Sequence, residues 1–171
     1  MQTLLFFAIV FVLIAVTVED FRSRLVHAFW FPALFLLAFG YAIQFESSAQ
    51  VIEQVLISFS FLIIQGFLLI IYFIIKHKRW INITQSYLGW GDILFIIASI
   101  PLFSSFVFVL FYLCSLLLTI LWVVLYRLTG KQMVLIPLAG IQSICLLGAI
   151  FYHQYMQLIL FNDYTCLPLM L

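Results

Sequence analysis

A stretch of 36 residues, GDILFIIASIPLFSSFVFVLFYLCSLLLTILWVVLY at 91–126, decides the fold of this chain because it carries a single charge, that of Asp92. As one helix it would be roughly 54 Å long at 1.5 Å per residue, whereas the hydrocarbon core of a bilayer is only about 30 Å thick. The stretch therefore has to form two membrane spans. Pro101, Ser104 and Ser105 mark the hairpin between them.

The composition of the whole chain agrees with this interpretation. Of its 171 residues, 67% are hydrophobic and 8% are charged, and the mean hydropathy is +1.30, whereas about 25% of the residues in an ordinary soluble domain are charged. These values exclude a soluble enzyme, a nucleic-acid-binding protein and a disordered chain. Six spans of about 20 residues leave no room for a soluble domain. We therefore predict one integral-membrane domain over 1–171.

Charged and turn residues divide the chain into six predicted transmembrane helices, which makes the fold class all-α. The first is expected to be a retained span and not a signal peptide, because it lacks a basic region and a small-x-small cleavage pattern. The predicted spans are about 3–18, 27–43, 51–75, 90–103, 106–126 and 133 to 150 or beyond.

All seven basic residues fall in the first, third and fifth connections between these helices. Positively charged loops stay in the cytoplasm, so the pattern predicts that both termini lie on the non-cytoplasmic side. The basic residues are Arg22, Arg24, Lys76, Lys78, Arg79, Arg127 and Lys131.

Two aspartates at this basic face are candidate functional residues. Asp20 follows the first helix and Asp92 begins the fourth. An ionisable group at the edge of a span costs free energy, so its presence there indicates a function. The alternative for Asp92 is a simple helix N-terminus, where the dipole favours an acid. The alternative for Asp20 is a surface ion pair with Arg22 or Arg24, which contributes about 0–1 kcal/mol.

Gly89 and Gly91 flank Trp90 directly before Asp92. Glycine allows a positive φ and a close approach of the backbone, and an irregular backbone at membrane depth is tolerated where it lines a cavity. A substrate strand could lie against this segment.

The segments DFRSRLVH at 20–27 and GWGD at 89–92 resemble the two catalytic motifs of type IV prepilin peptidases, members of the Gly-x-Gly-Asp class of intramembrane aspartyl proteases. The segment IPLAG at 136–140 is a weaker echo of a third family motif, Ile-Pro-Phe-Gly-Pro. Two positions depart from the family pattern. The residues LVH at 25–27 replace Ile-Pro-Asn, and Leu94 replaces a lysine.

The resemblance implies an aspartic endopeptidase that removes the leader of prepilin-like or pseudopilin-like precursors at the cytoplasmic face of a bacterial or archaeal inner membrane, for type IV pili or protein secretion. The precursor partner would carry a basic leader and a hydrophobic helix. The family's cysteine-bearing soluble loop is absent, which implies a short peptidase-only form. The implied catalytic residues are Asp20 and Asp92, and the implied substrate-positioning residues are Glu19, Gly89, Gly91, Arg22 and Arg24.

No cofactor or metal is expected, because the three cysteines form no C-x-x-C pair and the three histidines form no ligand motif. The expected surroundings are membrane lipid and the precursor, without nucleic acid, and homo-oligomerisation is left open. Two other functions also stay open. A small proton-coupled transporter would place a carboxylate near the bilayer midplane, and a non-catalytic membrane adaptor would hold the two aspartates far apart.

Overall fold

The computed structural model describes residues 2–23, 25–77, 89–128 and 138–156. Within these ranges the protein is all-helical, with six α-helices, as the sequence predicts. They are α1 Gln2–Ser23, α2 Trp30–Ala42, α3 Ser48–His77, α4 Trp90–Ser99, α5 Ser105–Leu128 and α6 Leu138–Met156, and a short 3₁₀ turn, Ile100–Leu102, lies between α4 and α5.

The long apolar stretch breaks where the sequence predicts a hairpin. The 3₁₀ turn contains Pro101, and Phe103 after it is extended, with φ −133° and ψ 148°. Proline has no amide hydrogen to donate to the preceding turn and clashes with the carbonyl there, so α4 ends at Ser99. The division into two helices is confirmed.

Several predicted helix boundaries are wrong by three to five residues. The third helix begins at Ser48, not at residue 51, and the fourth ends at Ser99, not at residue 103. The prediction ends the first helix at residue 18, but α1 continues to Ser23, so Asp20 lies inside a helix. The Ser23 hydroxyl, with one proton to donate, lies within hydrogen-bond distance of the carbonyl oxygens of Glu19 (2.9 Å) and Leu25 (3.0 Å) at the end of the helix. The second helix begins at Trp30, not at residue 27. The predicted start of the sixth helix, at 133, lies outside the described residues.

Three helices, α1, α3 and α5, are long and apolar enough to cross a membrane, and α2, α4 and α6 are shorter apolar helices. Large apolar side chains cover the outside of the bundle and are more than 60% exposed, for example Leu4, Phe11, Leu36, Phe67 and Leu117. Such a surface is unfavourable in water and favourable in lipid. These helices identify a membrane-associated protein.

The contacts between helices fix their relative directions. The rings of Phe6 in α1 and Phe151 in α6 meet edge to face, with centroids 5.8 Å apart. The start of α1 therefore lies beside the end of α6, and these two helices are antiparallel. A β-carbon on Gly91, in the first turn of α4, would lie 3.7 Å from the ring of Phe31 in the first turn of α2. The starts of α2, α4 and α6 thus gather at the end of α1.

The buried core lies between α1, α2, α4 and α6, with α5 against one side. Leu13, Leu34, Phe95, Phe108 and Leu146 are fully buried. By contrast, α3 packs mainly along α5 and the 3₁₀ turn, so most of its surface is exposed. The four-helix part of the bundle is therefore the part that positions buried polar groups.

Candidate active site

Asp20 is a buried carboxylate near the end of α1, with 6% of its surface exposed. Its Oδ2 accepts a hydrogen bond from the amide of Gly140, with the two atoms 2.6 Å apart. Gly140 is the third residue of α6, where amides have no partner within their own helix. The prediction that Asp20 is only an ion-pair partner of the neighbouring arginines does not account for this contact.

Asp92 is half-buried in the first turn of α4. Its Oδ1 accepts a hydrogen bond from the amide of Ala139, 3.0 Å away, in the first turn of α6. The carboxylate therefore binds the N-terminus of another helix, in addition to its interaction with the backbone of Gly89 at the start of its own helix. The two partners are 47 positions apart in the sequence, which makes this a tertiary contact.

The two aspartates thus occupy consecutive amides at the start of α6. They are close enough for their charges to repel each other. The positive end of the α6 dipole faces both carboxylates, which favours negative charge at this point. The structure therefore brings together the two residues that the sequence predicts as catalytic, on an amide pair that stabilises them.

Gly140 is a glycine because the site leaves no space for a side chain. A β-carbon there would lie 2.9 Å from Oδ2 of Asp20 and 2.8 Å from the ring of Phe21. Both distances are shorter than a carbon atom tolerates. The sequence points to this position only through the weak IPLAG echo at 136–140, of which residues 136 and 137 lie outside the described residues.

Gly89 and Gly91 differ in what they contribute. Gly89 precedes α4 in an extended conformation, with φ −69° and ψ 140°, so the positive φ that glycine would allow is not used. A β-carbon on Gly89 would lie 3.0 Å from Oδ2 of Asp92. Gly91 has room for a β-carbon, at ordinary contact distance from Phe31. A side chain at 89 would therefore force the Asp92 carboxylate to shift slightly, whereas one at 91 would not.

Glu19 points to a different partner from its neighbour Asp20. Its carboxylate accepts hydrogen bonds from the backbone amide of His27 (3.0 Å) and the indole Nε1 of Trp30 (3.1 Å). It also lies 3.0 Å from the imidazole Nδ1 of His27. Glu19 thus connects α1 to the start of α2 and is separate from the aspartate pair.

The remaining predicted positioning residues lie at the same end of the bundle or outside the description. Arg22 is exposed in the last turn of α1, and Arg24 is outside the described residues. Within the described ranges, no group of three or more histidine, cysteine or acidic side chains could hold a metal ion.

Sequence analysis missed a pair of hydroxyl groups one helical turn from the aspartates. The Oγ1 of Thr17 and the Oγ of Ser143 share a hydrogen bond of 2.7 Å between α1 and α6. The sequence offers one indication of this pair: Thr17 lies three residues before Asp20, and Ser143 lies three residues after Gly140. That spacing has meaning only once the two helices are known to be neighbours.

A comparison of the chain with protein-family models, with curated proteins and with solved structures found no match. The geometry at the start of α6 is therefore the basis of the function proposed below.

Proposed function

We propose that this protein is an intramembrane aspartic endopeptidase that cleaves prepilin-like or pseudopilin-like precursors. The observation that carries the proposal is the meeting of Asp20 and Asp92 on consecutive amides of α6. Two carboxylates that are far apart in the sequence meet at the end of an apolar bundle. Burial of charge there costs free energy, which supports a functional role for the pair.

Two neighbouring carboxylates supply the chemistry that peptide hydrolysis needs. Like charges at short distance disfavour double ionisation, so the pair shares one proton. The ionised aspartate removes a proton from the attacking water, and the protonated one polarises the scissile carbonyl and then protonates the leaving amine. The protons belong to the pair as a unit, and either Asp20 or Asp92 serves as the base.

The start of α6 has a supporting role in this mechanism. Its amides each hold one carboxylate oxygen, Ala139 that of Asp92 and Gly140 that of Asp20. The helix dipole offsets part of the repulsion within the pair. Such fixed dipoles need no reorganisation during the reaction, which is how preorganised sites lower a barrier.

The proposed topology has six spans with both termini outside the cytoplasm. Among the described residues, Arg22, Lys76 and Arg127 follow or end the helices α1, α3 and α5, as the positive-inside rule requires of cytoplasmic ends. A reporter enzyme that works only outside the cytoplasm should be active when it is fused after Leu171. Activity of a cytoplasm-specific reporter at the same position would contradict the topology.

The proposed substrate carries a basic leader in the cytoplasm and an apolar helix in the bilayer, as the family resemblance implies. The aspartate pair lies at the end of the bundle assigned to the cytoplasm, where the junction between such a leader and its helix would lie. The proposed location is the inner membrane of a bacterium or archaeon, in pilus assembly or secretion. A transporter would instead be expected to hold its carboxylates near the middle of the spans.

The test uses purified full-length protein in liposomes with a synthetic precursor. This precursor has a short basic leader, a glycine before the scissile bond and an apolar helix of about 20 residues. Asp20→Asn and Asp92→Asn should each lower cleavage by at least about 10²-fold, because each removes a group that transfers protons. Both variants should still fold, since the amide oxygen of asparagine can accept the α6 hydrogen bond.

Glu53→Gln is the matched control, because Glu53 is an exposed acid on α3, and it should cleave at the wild-type rate. Normal cleavage by either aspartate variant would overturn the proposed dyad. Proton uptake into the same liposomes without any cleavage, abolished by both variants, would favour the transporter instead.

A further inference from the structure

A hydroxyl pair connects α1 and α6 next to the aspartates. The Oγ1 of Thr17 and the Oγ of Ser143 are 2.7 Å apart. The Thr17 hydroxyl also lies 2.7 Å from the carbonyl oxygen of Leu13, and the Ser143 hydroxyl lies 2.9 Å from that of Gly140. Ser143 has no exposed surface, so this contact between the helices is shielded from water.

Counting protons shows that the contact between the helices is a true hydrogen bond. The two hydroxyls have two protons and take part in three close contacts. If both donated to carbonyl oxygens, the 2.7 Å contact would hold two facing lone pairs and would be repulsive. One hydroxyl therefore donates to the other, and the second donates to the carbonyl in its own helix.

The pair forms one of two adjacent connections between antiparallel helices. Thr17 precedes Asp20 by three residues and Ser143 follows Gly140 by three residues, so both lie about 4.5 Å further along the bundle. One hydrogen bond between two helices allows rotation or sliding about it. The second, together with packing such as that of Phe6 on Phe151, restrains the axial position of α6 at which Gly140 meets Asp20 and Ala139 meets Asp92.

We propose that Thr17 and Ser143 are positioning residues for the reaction, which set the register of α6 so that its first amides hold both carboxylates. The inference rests on the proposed endopeptidase function and assigns these residues no contact with the substrate. It predicts that loss of the hydroxyl pair slows the chemical step and leaves precursor binding unchanged.

The test compares Thr17→Val with Thr119→Val in the full-length protein in liposomes, with the synthetic precursor described above. The Thr119 hydroxyl donates to the carbonyl oxygen of Ser115 in its own helix, 2.8 Å away, so the control removes a buried hydroxyl without removing this connection. Thr17→Val should lower kcat by about 10- to 100-fold, because a misplacement of about 1 Å can cost about 10²-fold. Its KM should stay within about twofold of wild type, and Thr119→Val should keep the wild-type kcat.

Two further variants separate positioning from simple loss of stability. Thr17→Ser keeps the hydroxyl and should recover most of the wild-type kcat. Ser143→Ala should match Thr17→Val, and the double variant should be no slower than either single one, since both remove the same hydrogen bond. If Thr17→Val does not fold, Ser143→Ala tests the effect of the hydroxyl pair on kcat. Its control is Ser99→Ala, which removes a buried hydroxyl that bonds within its own helix.

The outcomes distinguish the two proposals. If the wild-type protein cleaves the precursor and Thr17→Val and Ser143→Ala keep its kcat, the positioning role is overturned and the endopeptidase stands. A rise in KM at unchanged kcat would also overturn the positioning role. If the wild-type protein leaves the precursor intact, the proposed function fails and this inference fails with it.

Discussion

The two sides of the bundle use their polar side chains differently. Where α1, α4 and α6 meet, polar groups bond across helices, as in Asp20 to Gly140, Asp92 to Ala139 and Thr17 to Ser143. Along α3 and α5, the hydroxyls of Ser60 and Thr119 bond to carbonyl oxygens in their own helix. The contacts that hydroxyls make across helices are longer on this side, 3.3 Å from Ser105 to the Gln54 carbonyl and 3.5 Å from Gln142 to Ser115.

This difference indicates where the protein requires a fixed geometry. A hydroxyl that bonds within its own helix satisfies itself in lipid and places no demand on a neighbour. A hydrogen bond across helices fixes the distance and register of two elements. The α1–α4–α6 end is therefore expected to respond to changes as small as one methyl group, and the α3–α5 side to tolerate them.

The largest expected effect comes from adding one methyl group at Gly140. Gly140→Ala would place a carbon 2.9 Å from the Asp20 carboxylate and 2.8 Å from the Phe21 ring, so the Asp20 carboxylate and the Phe21 ring, or α6 itself, have to shift. Cleavage should fall by about 10²-fold or more, because the carboxylate loses its amide and its position. The assay is cleavage of the synthetic precursor in liposomes.

Gly148→Ala is the control in the same helix, since a β-carbon there meets nothing within 4 Å. It should keep full activity and stabilise the helix by about 0.5–1 kcal/mol, because alanine is a better helix former. Equal activity of the two alanine variants would show that the contact between α1 and α6 is unimportant for cleavage.

A smaller effect should separate the two glycines of the GWGD segment. Gly89→Ala brings a carbon to 3.0 Å from Oδ2 of Asp92, whereas Gly91→Ala makes an ordinary 3.7 Å contact with Phe31. Gly89→Ala should lower kcat by about tenfold, from a displacement of less than 1 Å, and Gly91→Ala should stay near wild type. The reverse order would mean that the substrate needs the bare backbone at 91.

The number of helices was predictable from the sequence, but not all of their ends. The six helices were predictable from the distribution of charge and from Pro101. Burial of a charge in lipid costs so much free energy that charged residues are placed at the ends of spans. The end of α1 was misjudged because Glu19 and Asp20 look like loop residues. Their partners lie on α2 and α6, and contacts between distant elements override local preference.

The site was predictable only in its side chains. Asp20 and Asp92 are unusual acids in an apolar chain, so they draw attention without a structure. The amides of Ala139 and Gly140 carry no sequence signal, since every residue except proline has one. Thr17 and Ser143 resemble the other hydroxyl residues of the helices until the neighbours are known. The supporting part of the site was therefore beyond sequence analysis.

The smallest expected effect distinguishes Glu19 from Asp20. Glu19→Gln keeps one carbonyl oxygen, so its amide nitrogen has to face either the His27 amide or the Trp30 indole, both of which are donors. The loss of about one hydrogen bond, worth about 0.5–1.5 kcal/mol, should lower the melting temperature by about 2–4 °C. The value of kcat should stay at the wild-type level, because the carboxylate of Glu19 is bound to α2 and lies outside the aspartate pair.

If Glu19 also attracts the basic leader, the KM of Glu19→Gln should exceed that of the wild type at low salt and equal it at high salt, where the attraction is screened. Thermal unfolding and cleavage kinetics at two salt concentrations check these points, with Glu53→Gln as the control. A loss of kcat as large as that of Asp20→Asn would instead place Glu19 in the catalytic pair.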